Sequence, residues 1–279
     1  MFMRALSGLI FVALLMATPA TAAPSAPERV DIARPSGVLH ALLYKPDGNG
    51  PFPAVIALHG CAGLTGHDEQ LLPAYRDWTA QLLKAGNAVL FPDSYGSRDA
   101  GAQCHAKERR VFARRERVAD VLTSRHWLLR QPWASHEHIG LMGWDNGASA
   151  LLWAVRPQLT HKLSPDFRSA VAFYPDCRVS SRLGWSARVP TLLLIGARDE
   201  TSSPAACREM IDDARGRSAL ARIVIYPGAD HDFDHDNEPM QALAAAPGAT
   251  VPASARASRA GDLEARTDAQ KRVADWLTR

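Results

Sequence analysis

Three side chains in this sequence have the types and order that hydrolytic chemistry needs: the carboxylates of Asp145 and Asp199 and the imidazole of His231. Asp145 is the centre of Gly143-Trp144-Asp145-Asn146-Gly147, which follows the apolar run 139–142 and precedes a helical stretch over 148–155. In a strand–turn–helix setting, glycines on either side permit a turn so tight that the central side chain stands above the sheet. The same turn aims the next amide, Asn146 N–H, at the reaction centre. A histidine oriented by a carboxylate serves as general base, and a carboxylate at the turn is a nucleophile that needs no deprotonation. The segment Leu58-His59-Gly60-Cys61-Ala62-Gly63 ends an earlier apolar run, and its Cys61 amide is the expected second donor to an oxyanion. The expectation is that the Asp145, His231 and Asp199 side chains lie within hydrogen-bonding reach of one another.

Each residue also has a plainer reading. Asp199 suits the cap of the helix that follows it. His231 sits in the acidic run 230–236, which reads equally as a solvated loop or, with His235, as a metal site. Ser149, one turn beyond Asp145, would point down its helix rather than out of the turn. The order of the pieces, each at the end of an apolar run, favours the catalytic reading.

The elements that must position these groups follow from pattern. Continuous apolar runs at 54–58, 88–91, 139–143, 170–174, 191–196 and 222–226 suit strands buried on both faces, with an earlier strand at 38–44. Between them lie helical stretches at 68–84, 107–130, 148–155 and 204–214, with a last helix at 262–277. Alternating strands and helices imply one α/β domain over 24–279, a doubly wound, mainly parallel sheet with helices on both faces and no cap domain. The Ala/Pro/Ser-rich stretch 242–260 is expected as a loop or partly disordered insert.

Bulk properties narrow the function classes. The 279 residues carry a formal charge of +3, and 22% are charged. This near balance argues against a nucleic-acid partner, and the basic cluster 107–117 reads as a solvated helix face because glutamates are interspersed at helical spacing. At the N-terminus, Arg4, an apolar run over 9–16 and the Ala20-Thr21-Ala22-Ala23 site read as a signal peptide, 1–23. Export to the periplasm or medium is expected, with no stable membrane insertion after cleavage. The four cysteines Cys61, Cys104, Cys177 and Cys207 then read as disulfides, in any of three pairings. A zinc site from Cys61, Cys104, His59 and His105 lacks the usual ligand spacing. No metal or organic cofactor is called for, the partner is a small-molecule substrate or ligand, and nothing specifies an oligomeric state.

The sequence resembles the dienelactone hydrolase family of α/β-hydrolases, particularly its exported, cysteine-containing relatives. The matching stretches are Leu58-His59-Gly60-Cys61-Ala62-Gly63-Leu64, Pro92-Asp93-Ser94-Tyr95-Gly96-Ser97-Arg98, Gly143-Trp144-Asp145-Asn146-Gly147, Leu194-Ile195-Gly196-Ala197-Arg198-Asp199 and Tyr226-Pro227-Gly228-Ala229-Asp230-His231-Asp232-Phe233. The resemblance implies an α/β-hydrolase fold, Asp199 as triad acid, His231 as triad base, and activity on small esters, lactones or related electrophiles. It further implies the pairings Cys61–Cys104 and Cys177–Cys207; the substrate pocket is expected near His59, Tyr95, Trp144 and Tyr174.

One position departs from the family, whose elbow residue is serine or cysteine. A carboxylate attacking a carbonyl gives a mixed anhydride and expels an alkoxide poorly, so Asp145 is no substitute for serine in ordinary ester hydrolysis. Related haloalkane dehalogenases and epoxide hydrolases carry an aspartate there and attack saturated carbon. They hold their leaving groups with a tryptophan after the aspartate, or with tyrosine donors; here Asn146 follows, and Tyr95 and Tyr174 are the available phenols. Three alternatives stand beside that chemistry: Asp145 as general base for water, a catalytically inactive binding protein in which Asp145 pairs with charged His231, and an esterase whose serine was replaced.

Overall fold

The continuous apolar runs form the centre of an eight-stranded sheet in a computed structural model of the protein, which describes residues 26–157, 164–235 and 253–278. The strands are β1 (Glu28–Arg34), β2 (Gly37–Tyr44), β3 (Phe52–Leu58), β4 (Ala88–Pro92), β5 (Ala134–Trp144), β6 (Ala170–Phe173), β7 (Thr191–Gly196) and β8 (Ala221–Tyr226). Their order is β1-β2-β4-β3-β5-β6-β7-β8, with β1, β2 and β4 paired antiparallel and all other neighbours parallel. Residues 54–58 of β3 and 139–144 of β5 are buried throughout, as strands covered on both faces must be. The hairpin strand β1 was not anticipated, because Glu28-Arg29-Val30-Asp31-Ile32 alternates and buries only one face.

The helices are α1 (Pro73–Lys84), α2 (Glu116–Leu128), α3 (Asn146–Ala154), α4 (Arg178–Arg182), α5 (Pro204–Asp213) and α6 (Ala253–Leu277), with a 3-10 turn at Gly96–Arg98. The chain runs from β3 outward to β4 and then back across to β5, a reversal that places helices on both faces when crossovers have their usual right hand. Helices α1 and α6 share one face, where Arg266 donates to Asp77 at 2.6 Å. This is the doubly wound α/β-hydrolase architecture expected from the pattern, without a cap domain among the described residues.

Three boundaries differ from expectation, each for a local reason. Helix α1 begins at Pro73 rather than near residue 68, because proline suits the first helical position and the preceding chain closes a Thr65–Leu71 bridge. Residues 107–115 are not helical. They form a loop tied down by the Cys104 disulfide and by the Phe112 amide, which donates to Glu116 Oε2 at 2.8 Å. Helix α6 starts at Ala253, inside the stretch expected as a loop; residues 242–252 lie outside the described residues, as does the signal segment 1–23. Its Ala265, Ala269, Val273 and Trp276 face the core at helical spacing. Gly261 passes so close to Gly228 that a Cβ would lie 2.8 Å from the Gly228 Cα. Asp262 Oδ1 accepts the Asp230 amide at 2.9 Å, which pins the loop leading to His231.

Candidate active site

The turn after β5 puts Asp145 at φ 46°, ψ −113°, a conformation rare for a side-chain-bearing residue. Two glycines make it possible. A Cβ on Gly143 would meet Gly147 at 2.8 Å, and one on Gly147 would collide with the carbonyl oxygens of Leu58 and His59. The Asp145 amide donates to Phe173 O at 3.0 Å, and the Asp145 carbonyl accepts the Ser149 amide at 2.9 Å, so α3 starts from this residue. The carboxylate therefore stands at a helix N-terminus, which favours negative charge. Its Oδ2 accepts the Cys61 backbone N–H at 2.8 Å. Asn146 is the first residue of α3, so its amide lies at the same end.

Behind this turn lies a polar core that pattern alone misread. Arg117, expected on a solvated helix face, is fully buried. It donates to Asn146 Oδ1 at 2.8 Å and to His59 O at 2.6 Å, and its guanidinium lies 5.2 Å from the Tyr95 ring. Tyr95 Oη also donates to Asn146 Oδ1, at 3.0 Å. His59 is fully buried against Tyr95, ring centroids 4.6 Å apart, and its Nδ1 bonds to Gly60 O at 2.8 Å. Burial, helped by the Arg117 charge, holds its pKa well below the usual histidine value, so it is a neutral structural group. His59 and Tyr95 thus stand behind the pocket rather than in its lining. The buried α2 positions Arg117, Asp120, Val121, Ser124 and Leu128 have helical spacing, but most are polar, which hid the face in the sequence.

The acid–base side is built from the loops after β7 and β8. His231 Nδ1 and Asp199 Oδ2 are 2.8 Å apart. Asp199 Oδ1 accepts the Thr201 and Ser202 amides at 2.9 and 2.7 Å, which fixes the carboxylate that orients the ring. On the other ring edge, His231 Nε2 lies 3.6 Å from Asp232 Oδ1. Burial pulls the His231 pKa down, but the Asp199 bond and the charges of Asp232, Asp199 and Asp145 outweigh it, and the net shift is upward. His231 and Asp145 form no direct hydrogen bond, so of the two contacts expected within the triad only the Asp199–His231 contact is made. Asp145 Oδ2 instead accepts the Cys61 amide, and His231 Nε2 lies nearest the Asp232 carboxylate.

Asp234, in the same loop, is fully buried and was not singled out, because an acidic run looks solvated. Its Oδ2 accepts Trp78 Nε1 and Trp144 Nε1, each at 2.7 Å, and its Oδ1 accepts Tyr174 Oη at 2.6 Å. Burial alone would raise its pKa; the bonds from His235, Tyr174 and Trp144 prevail and hold it below the usual carboxylate value. Tyr174 is correspondingly pushed well up, by burial and by Asp234. Ser149 Oγ donates to Asp145 O at 3.1 Å and accepts the Asp176 amide at 3.0 Å, so it has no part as a displaced nucleophile.

Asp145, Asn146, Cys61, Trp144, Tyr174 and His231 all line one cavity of about 750 Å³. Arg109, Phe112, Arg114 and Val179 line it as well, the first three from the loop expected as helix. The chain carries disulfides Cys61–Cys104 and Cys177–Cys207, so no cysteine is left as a metal ligand. Among the described residues no cluster of histidine, cysteine and carboxylate side chains could hold a metal ion.

Comparison with known proteins bears on the family and the fold. A family model, "Dienelactone hydrolase family", matches residues 39–279. A Yersinia pestis protein provisionally assigned as a carboxymethylenebutenolidase is 27% identical over 222 residues, covering 72% of this chain and 76% of that protein. A provisionally assigned dienelactone hydrolase from Klebsiella pneumoniae superposes with a TM-score of 0.64 at 19% identity, covering 91% of this chain and 98% of its own. The dienelactone hydrolase from Anabaena variabilis gives 0.63 at 19% identity, covering 90% and 97%. Such distant structural matches establish the fold.

Proposed function

We propose that this chain, which belongs to the dienelactone hydrolase family, is a hydrolase of small esters, lactones or related electrophiles in which the Asp145 carboxylate is the nucleophile. The observation that carries the reading is the Cys61 N–H bond to Asp145 Oδ2 at 2.8 Å. It seats one carboxylate oxygen where an oxyanion would rest, on a residue that lines the cavity, and the other oxygen has no hydrogen bond among the described residues. That is the arrangement a carboxylate nucleophile needs and a serine does not.

The leaving group follows from which donors are already engaged. Trp144 Nε1 and Tyr174 Oη are held by Asp234, and Tyr95 Oη by Asn146, so none of these three donors is free to cradle a halide or protonate an epoxide oxygen. A carboxylate leaving group needs neither. Asp145 Oδ1 attacks the alkyl carbon of an ester or lactone, the alkyl C–O bond breaks, and the acyl half departs as a carboxylate. Water then gives a proton to His231 Nε2 and adds to the Asp145 carboxyl carbon. The oxyanion formed rests on the Cys61 and Asn146 amides. Collapse expels the alkoxide, which takes the proton from His231, and the Asp145 carboxyl releases the second proton of water to solvent, restoring the carboxylate. Esterification also removes one of the charges that raise the His231 pKa, so the base is released at the step that uses it.

Single-turnover reaction in ¹⁸O-water tests this directly. Label is expected in the Asp145 carboxylate by peptide mass spectrometry; label in the product carboxylate alone would overturn it. A second reading, a binding protein with an inactive site, is favoured by the carboxylates that raise the His231 pKa and so disfavour the neutral ring a base needs. Asp145→Ser gaining activity on p-nitrophenyl esters, beside a parent inert to all substrates, would decide for that reading. The signal-like N-terminus and the two disulfides further support export into an oxidising compartment; among the described residues no helix is long and apolar enough to cross a membrane.

A further inference from the structure

The chemistry above uses no residue of α2, yet that helix delivers a fully buried cation to the back of the reactive centre. We infer that Arg117 is a positioning residue: it ties the two loops that supply the oxyanion amides into one unit and places positive charge behind Asp145. The inference rests on the proposed nucleophile.

Geometry is the first ground. Arg117 Nη2 holds His59 O at 2.6 Å, two residues before the Cys61 amide, and Nη1 holds Asn146 Oδ1 at 2.8 Å, on the residue that supplies the other amide. One planar guanidinium therefore spans both walls of the hole, which a lysine ammonium cannot do with the same fixed angles. Tyr95 closes the set, bonded to Asn146 and stacked under the cation.

Charge is the second. Arg98 binds Asp120 through two bonds of 2.8 Å, Arg34 Nη1 lies 3.7 Å from the same carboxylate, and Arg188 is bonded to Asp166, whereas Arg125, further along α2, is buried with Nε and Nη2 unbonded and lies away from the elbow against Phe167. Among the described residues Arg117 has no such ion pair; both its acceptors are neutral oxygens, and its Nε is buried without a hydrogen-bond partner. A buried charge kept without a counter-ion is expensive for stability, and packing alone would be served by an apolar side chain. The Asp145 carboxylate lies within the same electrostatic neighbourhood, since Arg117 and Asp145 act with opposite sign on the hydroxyls of both Tyr75 and Tyr95. His59, buried and beside Arg117, stays neutral and does not compete for the proton.

The test uses Arg117→Met and Arg117→Lys in the full chain, with two independent readouts. Amide hydrogen exchange at Cys61 is expected to quicken roughly tenfold or more in Arg117→Met while the amides of β3 keep their rates, since only the local tie is lost. In single-turnover assays the labelling rate of Asp145 should fall about 10²-fold with KM within about threefold, the signature of lost transition-state support. Arg117→Lys, which keeps charge and is the better-tolerated change, should recover part of the rate. Unchanged Cys61 exchange in Arg117→Met, or an unchanged labelling rate, overturns the inference; if Arg117→Met does not fold, Arg117→Lys with parental exchange and rate does so. If the parent proves inactive on every substrate, the nucleophile reading fails, and the exchange measurement still decides whether Arg117 holds the loops.

Discussion

The loop carrying His59, Gly60 and Cys61 and the loop carrying His231 to His235 both end buried parallel strands and face one cavity, yet they hold their polar groups by different means. The first meets the elbow through backbone contacts permitted by glycines, and its buried side chains are neutral apart from the single cation Arg117. The second is crowded with carboxylates: Asp199 and Asp232 flank His231, while Asp234 gathers two indoles and a phenol. Steric constraint fixes the proposed nucleophile; electrostatics sets the proposed base. A turn fixed by sterics tolerates almost no substitution, whereas a charge environment can be retuned one carboxylate at a time.

The largest effect should come from Gly147→Ala. The new Cβ would run into the Leu58 and His59 carbonyls, backbone atoms of the central strand that cannot move aside. A loss of more than about 4 kcal/mol is expected, seen in urea unfolding or as absence of soluble protein. Near-parental stability would mean that the elbow is not the rigid half. On the other side, Asp234→Ala leaves Trp78, Trp144 and Tyr174 donors buried without their acceptor. About 3–5 kcal/mol should be lost in denaturant unfolding, with altered tryptophan emission because two indoles lose their partner. A loss of less than about 1 kcal/mol would show that the Asp234 cluster contributes little to this loop.

That asymmetry also explains what was legible in the sequence. The core strands announced themselves as unbroken apolar runs, and Gly143 and Gly147 announced the elbow, because a backbone constraint leaves a residue-type signature. Asp199 and His231 were readable from chain order. Arg117 and Asp234 were not, since each is a charged residue inside a charged run, and burial of such a group depends on what tertiary packing brings to it. The first half of the 107–130 stretch was misread as helix because its charge spacing imitates one; the Cys104 bridge, a long-range constraint, holds it as a loop. His59 and Tyr95 lay beside the motif in sequence and were assigned to the pocket, but both are turned to its back.

The disulfides offer an intermediate comparison. Replacing Cys61 and Cys104 together by serine should cost about 2–4 kcal/mol, and so should the Cys177 and Cys207 pair. Only the first bridge touches the elbow side, because Cys61 supplies the amide bound to Asp145 and its carbonyl accepts the Gln103 amide at 2.7 Å. Thermal melts should therefore fall alike, while Cys61 amide exchange quickens in the first variant alone. Equal exchange in both would erase the distinction between the two loops.

The smallest effect, Asp232→Asn, bears most directly on the electrostatic half. His231 has a folded pKa raised above its unfolded value of about 6.5. Its contribution to stability is therefore fully present below about pH 6.5, and is lost as pH rises through the folded value. Catalysis runs the other way, since water activation requires the neutral ring, so the rate should climb on a limb where pH rises through the pKa of the ring. Removing the Asp232 charge lowers the folded pKa and moves that limb to lower pH. Asp232 is half-exposed and 3.6 Å from Nε2, and water screens its charge, so the move should be less than about one pH unit. NMR titration of the His231 ring, with kcat followed over the same range, measures both sides of this linkage. A limb that stays in place while the ring titration moves would mean that His231 is not the base; if neither moves, Asp232 does not set its protonation, and the electrostatic half reduces to Asp199 and Asp145.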